Sequence, residues 1–163
     1  PLHLATGYAT LANGGRLVKP TLLEEEKFDL GQQIISKEVA KNSLAMLRGV
    51  VTEGTASLAD VNGYFVAGKT GTADKPSAQG GYDKEKNITS FASIFPIHEP
   101  KYVLVVTLDE AQDTSGPEPK RTAGWTAVPV SAEIIARVAP LLGLRPKFDS
   151  KSSAGVTLSN WQE

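Results

Sequence analysis

Three strand-forming segments follow one another in the middle of the sequence. Residues 64–73, 87–96 and 102–108 carry apolar, β-branched and aromatic side chains, with polar and glycine-rich chain between them. Parallel strands need a crossover of about a dozen residues or more, and the connections here are shorter. The sequence therefore predicts an antiparallel meander, with a mobile connection over residues 77–86 and a tight turn at residues 98–100.

Two amphipathic segments precede this predicted sheet. Residues 4–12 have apolar side chains at helical spacing and are followed by Asn-Gly-Gly, a typical helix end. Ser36 is placed to cap a second helix over residues 37–53. Met46 lies on the apolar side of that helix, and we expect it to fill the core.

A third helix is predicted after the sheet. It begins at residue 126 or 127, with Pro129 in its first turn and an apolar stripe that extends from Val130 to Leu142. Helices packed on an antiparallel sheet make an α+β fold. The run EEEK at residues 24–27 is expected to form a solvated surface.

Composition excludes several kinds of function. The 17 Lys and Arg residues nearly balance the 18 Asp and Glu residues, so no general attraction to nucleic acid is expected. The absence of cysteine excludes thiol catalysis and cysteine-ligated metal, and His3 and His98 are expected to be structural. We predict no metal site, no cofactor and no nucleic-acid partner.

Residues 67–73 (AGKTGTA) concentrate a lysine, two hydroxyls and two glycines directly after an apolar run. This composition suits a segment that binds an anion, and two interpretations compete. Residues 63–70 (GYFVAGKT) fit the phosphate-loop pattern of nucleotide-binding proteins. Residues 69–71 also form the Lys-Thr-Gly element of serine β-lactamases and penicillin-binding proteins.

The context disfavours the phosphate loop. Its four variable positions are Tyr, Phe, Val and Ala, which favour a strand, and the residues after Thr70 contain too much glycine and proline for the helix that a phosphate loop requires. The apolar segment that ends at Asp109 and Glu110 could supply a magnesium-binding acid. The nucleotide-binding interpretation therefore stays open as a remote alternative.

Four segments in order carry a resemblance to a known family. They are residues 11–15 (LANGG), 66–73 (VAGKTGTA), 90–96 (SFASIFP) and 122–130 (TAGWTAVPV). Together they resemble the C-terminal portion of the transpeptidase domain of class B penicillin-binding proteins, which cross-link bacterial peptidoglycan. In detail the sequence is more similar to division-type members, like penicillin-binding protein 3, than to the elongation type.

The resemblance covers residues 1–143 and leaves residues 144–163 as a loosely ordered tail. It implies the penicillin-recognising, β-lactamase/transpeptidase-like fold and a serine-type D,D-transpeptidase. In that reaction a serine attacks the penultimate D-Ala carbonyl of a stem peptide, D-Ala leaves, and an amine from a neighbouring strand resolves the acyl-enzyme. β-Lactams mimic D-Ala-D-Ala and acylate the same serine.

The resemblance also assigns site residues. The carboxylate of the stem peptide or β-lactam would be bound by Lys69, Thr70, Gly71 and Thr72. Lys69 supplies positive charge, the two threonines donate O–H groups, and Gly71 leaves the strand edge clear for the substrate backbone. The backbone N–H of Thr72 would be one donor of the oxyanion hole.

The nucleophile of this family is not in the sequence. No serine is followed by lysine at the third position, and no serine or tyrosine precedes asparagine by two positions. Both missing motifs lie N-terminal to the first helix in the family, so we expect this chain to be a fragment that is inactive alone. Exposed apolar surface, pairing with the missing N-terminal part, or self-association is expected of such a fragment.

The resemblance leaves related functions open. A serine β-lactamase, a D,D-carboxypeptidase or a β-lactam sensor would share the same fold. For a transpeptidase, the expected location is the periplasmic or extracytoplasmic face of the bacterial inner membrane, with an N-terminal anchor that this sequence lacks. Divisome proteins are the expected partners.

Overall fold

The computed structural model describes residues 1–23 and 31–148. Its elements in chain order are α1 (Leu2–Ala12), α2 (Lys37–Thr52), a 3₁₀ turn (Ser57–Ala59), β1 (Ala67–Pro76), β2 (Tyr82–Phe95), β3 (Tyr102–Asp109) and α3 (Ala127–Leu141). The predicted order of helix, helix, three strands and helix is confirmed.

The three strands form one antiparallel sheet in the order β1-β2-β3. Both faces of β2 are buried towards its C-terminal end: Phe91 and Phe95 lie on one face, and Ala92 and Ile94 lie on the other. Helix α3 packs on β2 and β3, and α1 also contacts both strands. The predicted α+β fold is confirmed.

The connection between β1 and β2 is shorter than predicted. Strand β1 extends to Pro76 and β2 begins at Tyr82, so the mobile connection predicted for residues 77–86 is wrong over residues 82–86. Those residues are polar and largely exposed on both faces, so they lack the alternation that indicates a strand. Gly80 and Gly81 have φ angles of 93° and 73°, which a tight turn requires.

The end of α1 follows from its sequence. Gly15 has a φ of 85° and donates its N–H to Thr10 O at 2.9 Å, which closes the helix as the Asn-Gly-Gly signal predicts. A Cβ on Gly15 would lie 2.3 Å from Ile35 O. The chain after α1 is thereby packed against the segment that leads into α2.

Helix α2 begins where predicted. Ser36 Oγ accepts the N–H of Val39 at 3.1 Å, which confirms the cap. The prediction that Met46 fills the core is wrong, because Met46 is 68% exposed, whereas Ala40 and Val51 are buried. The periodic pattern identifies an apolar side but not the residues that meet the sheet. Val39, on the same helix, is 51% exposed.

Helix α3 begins at Ala127 and has Pro129 in its first turn, as predicted. Its buried face agrees only in part with the predicted stripe. Ile135 is fully buried as the stripe predicts, but Leu141 is 85% and Val130 39% exposed, and the polar Ser131 is fully buried. Three of the five buried residues of this helix, Ala127, Ser131 and Ala139, are small. Ser131 Oγ donates to Ala127 O at 2.7 Å, so its burial leaves no unpaired hydroxyl.

Leu144 packs against the core, and the N–H of Lys147 donates to Gly63 O at 2.9 Å. Residues 149–163 of the predicted tail, and the EEEK run at residues 24–27, lie outside the described residues. In the described part of the chain, no helix is long and apolar enough to cross a membrane.

Candidate active-site strand and cleft

Strand β1 carries the residues to which the sequence analysis assigns the site. Within the described residues it pairs only with β2, so its other edge is unpaired. Lys69, Gly71 and Thr72 are exposed on this strand. An unpaired edge presents main-chain N–H and C=O groups that an extended peptide can pair with.

Two glycines of β1 have opposite surroundings. A Cβ on Gly68 would lie 2.5 Å from Ala92 O and 2.6 Å from the Phe91 ring, so only glycine lets β1 approach β2 this closely. A Cβ on Gly71 would have no neighbour within 4 Å among the described residues. The space at Gly71 is therefore open to a ligand.

The charged and hydroxyl side chains leave β1 on opposite faces. Lys69 pairs with Ala92 across the sheet and Thr70 with Phe91, and side chains alternate along a strand. Thr72 shares the face of Thr70. The ammonium Nζ of Lys69 donates to Thr70 O at 2.9 Å, which holds it beside the strand edge.

A cleft of about 440 Å³ opens on the threonine face of β1. We call it the threonine cleft. It is lined by Gly54, Thr55, Ser57, Leu58, Thr70, Thr72, Thr122, Ala123, Gly124 and Trp125. These residues come from the loop after α2, from β1, and from the loop before α3. None of them is acidic, and the Lys120 ammonium lies 3.3 Å from the centre of the Trp125 ring.

Hydrogen bonds fix the two threonines of β1. Thr72 Oγ1 accepts the N–H of Ala123 at 3.1 Å, so its own O–H stays available to donate. Thr70 Oγ1 lies 2.8 Å from Thr55 Oγ1. Thr70 and Thr72 were predicted as site residues from the sequence, whereas Thr55 and Ala123 were not.

Thr55 and Ala123, which contact the two threonines but were not predicted as site residues, had only a weak signal in the sequence. Residues 122–130 are part of the family resemblance, but the resemblance gave no role to the N–H of Ala123. Thr55 follows the Gly54 that ends α2, and there it looks like an ordinary connection. Its approach to β1 depends on how the loop folds back.

The entry to β1 is held by α2. Phe65 has a φ of 45°, so the strand predicted to begin at residue 64 is wrong for residues 64–66, and β1 starts at Ala67. Arg48 donates to Val66 O at 2.7 Å and to Asp60 Oδ1 at 2.9 Å, and its guanidinium lies 5.9 Å from the Phe65 ring centre. These contacts hold a backbone conformation that a phenylalanine rarely adopts.

The structure contradicts the phosphate-loop alternative. The chain after Thr70 continues as a strand to Pro76, where a phosphate loop would need the first turn of a helix. The acids expected to hold magnesium are ion-paired instead: Lys75 contacts Asp109, and it contacts Glu110 at 2.7 Å. Hydrogen bonds to these two carboxylates raise the pKa of Lys75.

Comparison with known proteins places the chain in a family. Residues 1–136 match the model of the penicillin binding protein transpeptidase domain. The chain belongs to this family. As a penicillin-binding protein transpeptidase segment, it is 36% identical over 135 residues to a peptidoglycan D,D-transpeptidase FtsI homolog of Chlorokybus atmophyticus, covering 83% of the chain and 19% of that relative.

Two further relatives of this transpeptidase segment cover more of it. A probable peptidoglycan D,D-transpeptidase FtsI of Caulobacter vibrioides is 32% identical over 159 residues, covering 91% of the chain and 27% of the relative. The apo transpeptidase domain of Burkholderia pseudomallei penicillin-binding protein 3 superposes with a TM-score of 0.77 at 31% identity, covering 89% of this chain and 43% of that one. The segment therefore spans 19% and 27% of the length of the two curated relatives.

Proposed function

We propose that this chain is the substrate-binding, C-terminal portion of a serine-type peptidoglycan D,D-transpeptidase. One observation carries the proposal: beside Gly71, the position with open space on an unpaired strand edge, Lys69 Nζ donates to Thr70 O at 2.9 Å from one face of β1, and the hydroxyls of Thr70 and Thr72 lie on the other face. A carboxylate needs positive charge and several donors in one place. Lys69 and the hydroxyls of Thr70 and Thr72 supply both for the terminal carboxylate of D-Ala-D-Ala or for that of a β-lactam.

The extended substrate would lie along β1. Its backbone would pair with the strand edge beside Gly71, where a side chain would obstruct it. Alternate N–H groups of an edge strand point away from the sheet, and we propose that the N–H of Thr72 is one of these and stabilises the oxyanion. Such a donor contributes about 10²–10³ in turnover.

The reaction needs a serine that this sequence does not contain. In the proposed mechanism, that serine's oxygen attacks the penultimate D-Ala carbonyl carbon, the peptide C–N bond breaks, and D-Ala leaves with a proton on its nitrogen. An amine of a neighbouring stem peptide then displaces the serine. The chain binds and orients the substrate, and the N-terminal part of the same domain performs the attack.

We further propose a septal role at the extracytoplasmic face of the inner membrane, with divisome proteins as partners. The support is the division-type resemblance of residues 91–96 and 108–110, together with relatives that carry the name FtsI. Peptidoglycan lies outside that membrane, so the cleft must lie there as well. A segment that precedes residue 1 would supply the anchor.

Labelling with a fluorescent penicillin tests the proposal. The full-length protein is expected to form a covalent band, and Lys69→Gln is expected to lower the acylation rate constant about 10- to 100-fold, because a hydrogen bond to a charged group contributes about 1.5–3 kcal/mol. Lys101→Gln removes another exposed lysine, which pairs with Glu99 at 3.2 Å, and serves as the control. Residues 1–163 alone should give no band. Equal labelling of wild type and Lys69→Gln would refute the assignment.

A further inference from the structure

We propose that Thr55 is a positioning residue for carboxylate recognition. Its hydroxyl orients the hydroxyl of Thr70, so that the two alcohols together direct one O–H into the threonine cleft. Thr55 lies on the loop after α2, outside the Lys-Thr-Gly segment. The inference rests on the proposed function, because it assigns the ligand of the cleft to the carboxylate of a stem peptide or β-lactam.

The loop that carries Thr55 is fixed on both sides. The N–H of Ala56, which is fully buried, donates to Val50 O at 3.1 Å. A Cβ on Gly124 would lie 2.7 Å from Thr55 O, so the loop before α3 packs directly on the Thr55 main chain. The side chain of Thr55 itself is exposed and lines the cleft. A rigid main chain therefore presents a hydroxyl to the ligand space.

The number of protons in the hydroxyl pair, Thr55 and Thr70, explains why one O–H is available to the threonine cleft. The two alcohols carry two protons, and the 2.8 Å contact between their oxygens uses one of them. The other proton stays available, whichever residue donates within the pair. A hydroxyl that already accepts a hydrogen bond is a stronger donor, because the bonds polarise one another.

The surroundings of the pair select an anionic acceptor. Thr72 Oγ1 accepts the N–H of Ala123, which leaves its own proton to donate on the same face. None of the described residues that line the cleft is acidic, and the Lys120 ammonium lies 3.3 Å from the ring centre of Trp125, which is one of them. Oriented donors with positive charge nearby suit a carboxylate.

Acylation kinetics of the full-length protein test this role, with paired ligands that differ in one charge. Thr55→Val keeps the shape and removes the hydroxyl, whereas Thr55→Ser keeps the hydroxyl. With benzylpenicillin as the free acid, Thr55→Val is expected to lower the second-order acylation rate constant about 3- to 10-fold, the effect of one ordinary hydrogen bond. Thr55→Ser should recover most of that loss. With benzylpenicillin methyl ester, wild type and Thr55→Val should react alike.

A double substitution separates positioning from folding. If Thr55 acts through Thr70, then Thr55→Val should have little further effect in a Thr70→Val background. Equal losses with the acid and the ester, or additive losses in the double variant, would overturn the inference and leave Thr55 with a structural role only. The inference would also be overturned if Thr55→Val reacted with the free acid at the wild-type rate. If Thr70→Val still lowered the acylation rate constant in that case, the proposed function would remain intact. A wild-type protein that forms no adduct would overturn both.

Discussion

Gly68 packs so closely on Ala92 that a Cβ added to Gly68 would lie 2.5 Å from the Ala92 carbonyl oxygen. The obstacle is backbone, which cannot move aside as a flexible side chain can. Gly68→Ala is therefore expected to lower the free energy of unfolding by about 1–3 kcal/mol, the usual effect of overpacking. Thermal unfolding of the full-length protein checks this, and an unchanged melting temperature would show that β1 and β2 can separate without cost.

Gly71 provides the matched comparison on the same strand. Gly71→Val places a side chain in open space, so stability should change by about 0.5 kcal/mol or less, as for an ordinary surface position. The side chain would obstruct the substrate backbone, and we expect penicillin acylation to fall about 10²-fold. Thermal unfolding should therefore show the larger change for Gly68→Ala. Rapid-mixing acylation kinetics should show the larger change for Gly71→Val. Normal acylation of Gly71→Val would place the ligand elsewhere.

Arg48 joins α2 to the start of β1. Arg48→Met removes the donors to Val66 O and Asp60 Oδ1, and we expect a loss of about 1–3 kcal/mol in unfolding free energy. Arg137→Met is the control, because its ion pair with Glu133 is exposed and such pairs contribute about 0.3–0.5 kcal/mol. Urea unfolding of both variants measures the difference. If Arg48→Met and Arg137→Met had equal urea midpoints, Phe65 would keep its conformation without the contacts of Arg48.

The ion pairs of Lys75 with Asp109 and Glu110 make a pH-dependent contribution to stability. They raise the pKa of Lys75 above its ordinary 10.5, so the folded state favours the charged form. The contribution is fully present below pH 10.5 and is lost as the pH rises through the folded-state pKa. Lys75→Gln should therefore lower the urea midpoint at pH 8, and the difference from wild type should shrink above pH 10.5. A difference that is independent of pH would exclude the charge as its cause.

Local signals were sufficient for the helix ends. The Asn-Gly-Gly end of α1, the Ser36 cap of α2 and the start of α3 at Ala127 all depend on neighbours within a few residues, so the sequence determined them. The antiparallel sheet followed from short connections, which exclude parallel crossovers. Family membership followed in the same way, from four short segments in a fixed order.

Which residues of each helix are buried was decided by tertiary structure. Met46 is exposed although it lies in an apolar stripe, and Ser131 is buried although it is polar. Helical periodicity describes one element at a time, whereas burial depends on the partner surface and its distance. The buried residues of α3 include the small Ala127, Ser131 and Ala139, and no local pattern reports which of its residues meet the sheet.

The site likewise contains residues that the sequence identified and contacts that only the tertiary structure made. The sequence by itself identified Lys69, Thr70, Gly71 and Thr72 as neighbours on one strand, because they are adjacent in the chain. Only the fold brought Thr55 within 2.8 Å of Thr70 and the N–H of Ala123 onto Thr72 Oγ1. Those contacts join residues 15 and 51 positions apart, so they form only when both loops pack against β1.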